Sequence, residues 1–191
     1  MKKIKELKIE DLMLKDNEIE MRPLYLETLD FERLANMADD YSIAKYIGHT
    51  FPNPYTIEDA KSFQNYAKDS WEKDSEYIFG IFINGEYAGN VGIKVDHGNE
   101  IVNNLGYWLG KKYEGCGYMS RVVSLMIGFS FNILNMRKIE AYVHEGNIGS
   151  MRVLEKNRFV LEGVKKKNQK HRDGTILDTN IYGLMNPQSI L

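Results

Sequence analysis

The stretch IVNNLGYWLGKKYEGCGYMSRVVSLMIGFSFNIL, residues 101–134, changes character twice. Ile101 to Gly110 reads as a strand. Met119 to Leu134 carries apolar residues at 119, 122, 123, 126 and 127, the spacing of one helix face. Between them, Lys111-Lys-Tyr-Glu-Gly-Cys-Gly-Tyr118 places two glycines around one residue. Downstream, Lys138 to His144 alternates Ile139, Ala141 and Val143 on one side, as a half-buried strand does. The order is strand, helix, strand, and a connection of that kind joins neighbouring strands with a fixed hand.

Working outward, Asn147 to Asn157 reads as a further helix and Phe159 to Glu162 begins another strand. Asp173-Gly174 turns the chain, and Ile176 to Met185 closes it. Upstream, Tyr77 to Ile83 and Glu86 to Val95 are strand-like, and Asn84-Gly85 between them supplies the positive φ angles of a tight hairpin. Thr56, three residues before Asp59, predicts a capped helix start. Glu27 to Asp39 and Ile43 to Ile47 have roughly helical spacing, and Glu18 to Leu24 is the first convincing strand. Residues 1–17 are expected to be an extension, followed by one domain over residues 18–188. The fold class is α+β: an antiparallel meander leading into one crossover.

A chain of 191 residues with 43% hydrophobic content can bury one substantial core. Its 25 basic and 27 acidic residues give a net charge of −2, so there is no overall positive field to hold nucleic acid or an anionic membrane. One cysteine, Cys116, excludes an internal disulfide or a multi-cysteine metal site. The start MKKIKELKIEDL lacks the apolar core of a secretory signal, and no run is long enough to span a membrane, so a cytoplasmic location is expected.

A glycine-containing turn between a strand and a helix leaves several N–H groups unpaired and similarly directed, with the helix dipole adding positive potential. That arrangement suits a phosphate or pyrophosphate. It equally describes an ordinary turn. A P-loop would need Gly-Lys-Ser/Thr, and a dinucleotide fingerprint would need glycine where Ser120 stands.

Four segments, in order, resemble the GCN5-related N-acetyltransferases (GNAT), particularly the branch that acetylates ribosomal-protein N-termini. They are Pro54-Tyr-Thr-Ile-Glu-Asp-Ala60; Leu105-Gly-Tyr-Trp-Leu-Gly110 with Tyr113-Glu-Gly-Cys-Gly-Tyr-Met119; Asn147-Ile-Gly-Ser150 with Val153-Leu-Glu-Lys-Asn-Arg-Phe159; and Glu162-Gly163. The resemblance implies a mixed sheet splayed at a central strand, with acetyl-CoA wedged in the opening. It implies that the strand edge Trp108-Leu109-Gly110 pairs with the pantetheine arm, and that the amides from Gly115 through Cys116, Gly117, Tyr118 and Met119 to Ser120 take the pyrophosphate. Lys112, where the family usually has Gln or Arg, keeps a positive charge, and Arg121 could add one. Cys116 replaces a basic residue, Asn104 an acid, and Arg158 a glycine.

Direct acetyl transfer requires an unprotonated amine, a polarised thioester carbonyl and a proton for the departing thiolate. Ser150 is the candidate acid, with Tyr118 in reserve; a solvated helix serine is the competing account. Asn147 either holds the pantetheine or caps its helix. No residue stands out as general base: Glu100, His97 and Gln169 are the candidates, with bulk water relayed through Tyr107 or Asn104 as the alternative. His144 and His171 are too scattered for a metal site, and no metal is expected. The run Lys165-Lys-Lys-Asn-Gln-Lys170 is either a solvated strand end or a guide for an acidic group. The acceptor is a small-molecule amine or a protein N-terminus, and the enzyme a monomer or homodimer; the rival account is a catalytically silent acyl-CoA-binding sensor.

Overall fold

The computed structural model describes residues 12–48 and 50–189. Eight strands form one sheet in the order β1-β2-β3-β4-β5-β6-β8-β7. They are β1 (Leu14–Asp16), β2 (Ile19–Pro23), β3 (Glu76–Ile83), β4 (Glu86–Asp96), β5 (Ile101–Leu109), β6 (Lys138–His144), β7 (Val160–Lys170) and β8 (Ile176–Met185). All neighbours are antiparallel except β5 and β6. The last residues of the stretch read as an extension thus add an edge strand, with Leu14 opposite Met21, and Leu12 is buried in the main core.

Five helices cover the sheet: α1 (Phe31–Ala38), α2 (Tyr41–Ile47), α3 (Ile57–Glu72), α4 (Tyr118–Gly128) and α5 (Ile148–Lys156). Helix α1 starts later than its apolar spacing suggests, because Asp30 accepts from the Arg33 N–H and sets the N-terminus there. Thr56 and Asp59 form a reciprocal capping box on α3. Helix α4 stops at Gly128 and passes into one wide turn, Phe129–Ile133, where the sequence reads as continuous helix. Asn84 and Gly85 have φ of 51° and 79°, the turn expected of the β3–β4 hairpin.

Strand β3 is buried along almost its whole length because helices lie on both faces. Tyr77, Phe79 and Ile81 share a core with Val122, Val123 and Met126 of α4 and Leu154 of α5. Ile78 points the other way, onto Leu24 and Ala67. Trp108 packs with Leu34, Ala38 and Ile43 of α1 and α2. Each such buried aliphatic or aromatic side chain contributes about 1.5–3 kcal/mol.

The sheet opens at one place. Strands β5 and β6 pair only at Ile101–Lys138 and Val102–Ile139. Strand β6 continues with β8 through His144–Thr179, while β5 continues with β4 to Leu109–Gly89. Lys94 opposes Asn104 and Val95 opposes Val102, so Asn103 is an extra residue on β5, immediately after its last pair with β6. A bulge there bends and twists the strand, and it turns β5 away from β6. Gly89 secures the far end: a Cβ there would overlap the Trp108 carbonyl oxygen.

Candidate active site

The opening between β5 and β6 is a cleft of about 890 Å³. Its floor is the diverging strands, from Asn104 to Leu109 and from Ala141 to His144. Helix α2 forms one wall, with Ser42, Ile43, Tyr46 and Ile47; the loop into α4 and helix α5 form the other. Past Val102 and Ile139 neither strand has a ladder partner across the gap, so both edges keep backbone groups for a ligand.

The first turn of α4 supplies donors. Gly117 is its N-cap, with φ of 80° and no side chain to cap with, and Gly115 before it has φ of 74°. A Cβ at either glycine would meet no protein atom within 4 Å, so the backbone angle, not crowding by the protein, calls for glycine. The N–H groups of Tyr118, Met119 and Ser120 lie in the turn that an α-helix leaves unpaired, and all three residues line the cleft. Asn157 fixes this turn from α5: its Nδ2 donates to the Ser120 carbonyl at 3.0 Å and to Ser120 Oγ at 3.1 Å.

The charged residues are arranged differently from the sequence expectation. Lys112 turns to Glu86 at 2.8 Å, and it is Lys111 that lines the cleft, 3.3 Å from Glu114. Glu86 also accepts from Arg33 at 2.8 Å and from the Tyr113 hydroxyl at 3.2 Å. The Lys112 hydrogen bond, then that of Tyr113, holds its carboxyl down at about 2. Arg121 is paired within the protein: it donates to Asp16 Oδ2 at 2.6 Å and Glu18 Oε1 at 2.7 Å, tying α4 to the β1–β2 hairpin. The sequence reading missed two cations. Gly149, Arg152, Val153 and Lys156 line the cleft from α5 at spacings of three, four and seven, one helix face. That periodicity was the available signal. The face runs from Ser150 toward Asn157, beside the α4 amides.

Trp108 and Leu109 line the cleft. Gly110 lies just beyond it, its N–H donating to Ala88 at 2.8 Å and its Cα against Met37. Cys116 is exposed at the turn, its Sγ 3.5 Å from the Glu114 carbonyl. Asn147 caps α5, its Oδ1 accepting from the Ser150 N–H at 3.2 Å, and also lines the cleft. Tyr107 donates to the Ser150 carbonyl at 3.4 Å, and burial raises its hydroxyl well above the usual phenol range, so it remains a donor. Ser150 and Tyr118 both line the cleft. His97 is held by Asp74 at the β4–β5 turn, and Glu100 ends that turn; both are at the opposite end of β5 from Leu109. Gln169 lines a small adjoining hollow. Among the described residues, no group of three or more His, Cys, Asp or Glu could hold a metal ion.

An eight-stranded mixed sheet parted at its one parallel junction, with helix-terminal amides at the mouth, is the architecture of acyl-CoA transferases of the GNAT type. The family model for the acetyltransferase (GNAT) domain matches residues 18–160, and the chain belongs to this family. It is 34% identical to the probable N-acetyltransferase YjcK of Bacillus subtilis (strain 168), over 92% of this chain and 98% of that one. The apo crystal form I of RimL, titled a ribosomal L7/L12 alpha-N-protein acetyltransferase, shares the fold at TM-score 0.80 and 18% identity, covering 91% of this chain and 94% of that one. So does the microcin C7 self-immunity acetyltransferase MccE in complex with acetyl-CoA and AMP, at TM-score 0.78 and 23% identity over 90% and 94%. The protein is an acetyl-CoA-dependent N-acetyltransferase.

Proposed function

We propose that the enzyme acetylates the α-amine of a protein N-terminus in the cytoplasm, by direct attack on acetyl-CoA. The observation that carries the acceptor class is the charge of the α2 wall. Ser42, Ile43, Tyr46 and Ile47 of α2, with Tyr142 and His144 of β6, line the cleft on that side, and among the described residues the only carboxylate lining it, Glu114, is across at the phosphate loop, paired to Lys111. A polyamine or aminoglycoside would bring several cations to a wall with no carboxylate to receive them, whereas an extended peptide brings one amine and backbone groups. The structural neighbour RimL is a ribosomal L7/L12 alpha-N-protein acetyltransferase. Cys116, the single cysteine, does not line the cleft, which favours direct transfer over an acyl-cysteine intermediate.

In this reading the α4 amides, Arg152 and Lys156 hold the phosphates, and the β5 edge at Trp108 and Leu109 orients the pantetheine and polarises the thioester carbonyl. Ser150 gives a proton to the leaving thiolate. The test is CoA release with three acceptors: peptides with a free N-terminus, the same peptides N-blocked but containing lysine, and spermidine. Free N-termini are expected to lead in kcat/KM by at least about 10-fold, a difference of about 1.4 kcal/mol in transition-state binding. A preference for spermidine or internal lysine would overturn the acceptor class.

A further inference from the structure

We propose that His144 is the general base that takes the proton from the acceptor ammonium, a role that rests on the acetyl-transfer reading of this cleft. The observation is one of elimination within the cleft. Among its described lining residues only Glu114 and His144 can accept a proton at neutral pH. Glu114 is spent on Lys111 at the phosphate loop. Burial raises the Tyr107 and Tyr142 hydroxyls above the usual phenol range, so they keep their protons, and the hydroxyls of Tyr46 and Tyr113 donate to the Gly146 carbonyl at 3.1 Å and to Glu86 at 3.2 Å.

Position supports the assignment. Side chains alternate along β6: Ala141 and Val143 are buried in the core shared with α4 and α5, so Tyr142 and His144 project from the other face. That is the face of α2, and His144 also lines the small hollow it shares with Lys45 and Gly48. Ser150 lies on α5, on the α4 side. The cleft passes through the sheet between them, placing a base where the amine enters and an acid where the thiolate leaves. The backbone links the two, since the His144 carbonyl accepts from the Asn147 N–H at 3.1 Å and Asn147 caps the turn holding Ser150.

Among the described residues, the groups around His144 include Lys45 and Tyr46 from α2; Lys170 at the end of β7, with His171 and Arg172 in the turn after it; Glu145 and Asn147 after β6; Asp178 and Thr179 on β8; and Tyr107 on β5. His171 is committed to the Lys45 carbonyl at 2.9 Å and to Asp173 at 3.0 Å. Arg172 is committed to the carbonyls of Ala44, Gly48 and Phe51. Asp178 is paired with Lys166 at 2.7 Å, and Glu145 receives the Asp178 N–H at 3.4 Å.

The step balances. The ammonium gives one proton to the imidazole; the amine nitrogen bonds to the thioester carbonyl carbon; the C–S bond breaks with its electron pair on sulfur; the thiolate takes a proton, and the nitrogen loses its second one. One proton in total passes from His144 to solvent. An imidazole near 6.5 deprotonates an α-ammonium near 8 at a disadvantage of about 30-fold, against about 8,000-fold for a lysine near 10.4. The base therefore fits an N-terminal acceptor.

The experiment compares wild type with His144→Gln across pH, using an N-terminal peptide and an amine already unprotonated at the assay pH. With the peptide, kcat/KM of the variant is expected to fall by about 100-fold, with the acetyl-CoA dissociation constant unchanged within about twofold. With the unprotonated amine the deficit should vanish, and with the peptide the acidic limb of the wild-type profile should be absent from the variant. Added imidazole should restore part of the rate to His144→Ala. An equal deficit on both amines, or a peptide rate within about threefold of wild type, would overturn the role. Absence of amine-dependent CoA release from wild type would instead overturn the acetyl-transfer reading beneath it.

Discussion

Ser150 stands on the cleft wall with its N–H anchored by Asn147 and its carbonyl by Tyr107, so the hydroxyl is the part of the residue left for the ligand. If that hydroxyl protonates the thiolate, Ser150→Ala should lower kcat by about 10- to 1,000-fold and leave acetyl-CoA affinity nearly unchanged. A free thiol titrates near 8.5, so a strong acid is unnecessary and the rate should not fall to zero. A raised dissociation constant with normal saturated turnover, seen by calorimetry beside steady-state kinetics, would assign Ser150 to ground-state binding instead. Residue by residue, the placement of the candidate site was legible where it follows from chain order: the glycine loop, Asn147 and Ser150 all line the cleft. It was not legible where a side chain had a choice of partners. Lys112 and Arg121 were read as charges for the anion, and each has a carboxylate that comes from far along the chain, Glu86 in one case and Asp16 with Glu18 in the other. His144 looked isolated in sequence because the α2 wall opposite it lies about a hundred residues earlier.

Helix α5 presents Arg152 and Lys156 to the cleft on consecutive turns, and no carboxylate partner is recorded for either among the described residues. Replacing both by alanine should weaken acetyl-CoA by about 10- to 100-fold and flatten the salt dependence of binding, because charged hydrogen bonds to phosphate are lost. Unchanged affinity in a titration at low and high salt would place the phosphates elsewhere. At the turn after β5, Glu86 gathers Arg33, Lys112 and Tyr113. Its carboxyl lies at about 2, below the ordinary 4.5, so its stabilising contribution is present above about pH 4.5 and is lost as pH falls toward 2. Melting curves of wild type and Glu86→Gln should differ above pH 4.5 and converge near pH 2; a constant gap would contradict the assignment. Element types were legible because the 3.6 and 2.0 periods and the Asn84-Gly85 turn are local properties. Boundaries were missed where a specific bond set them, as Asp30 does for α1, and the β1 pairing was missed because three residues carry too little pattern.

Taken as one molecule, the fold is a device for parting two parallel strands. The Asn103 bulge turns β5 away, β8 pairs with β6 along its whole length, and Gly89 lets β4 hold β5 to its end. Arg121 anchors the helix whose amides face the gap, and the His171 and Arg172 contacts hold α2 on the other side. The meander and the crossover were legible in the sequence, but the point where β5 and β6 part was not, since a strand's partners are set by the whole sheet; the splay was expected only through family resemblance. The most direct test of the account is to record backbone amide chemical shifts of the ¹⁵N-labelled chain while acetyl-CoA is added. The largest changes are predicted at Gly115 and Gly117 to Ser120 and along the facing edges, Asn104 to Leu109 and Ala141 to His144. Saturable shifts confined to other surfaces, or no shifts at millimolar acetyl-CoA, would contradict it.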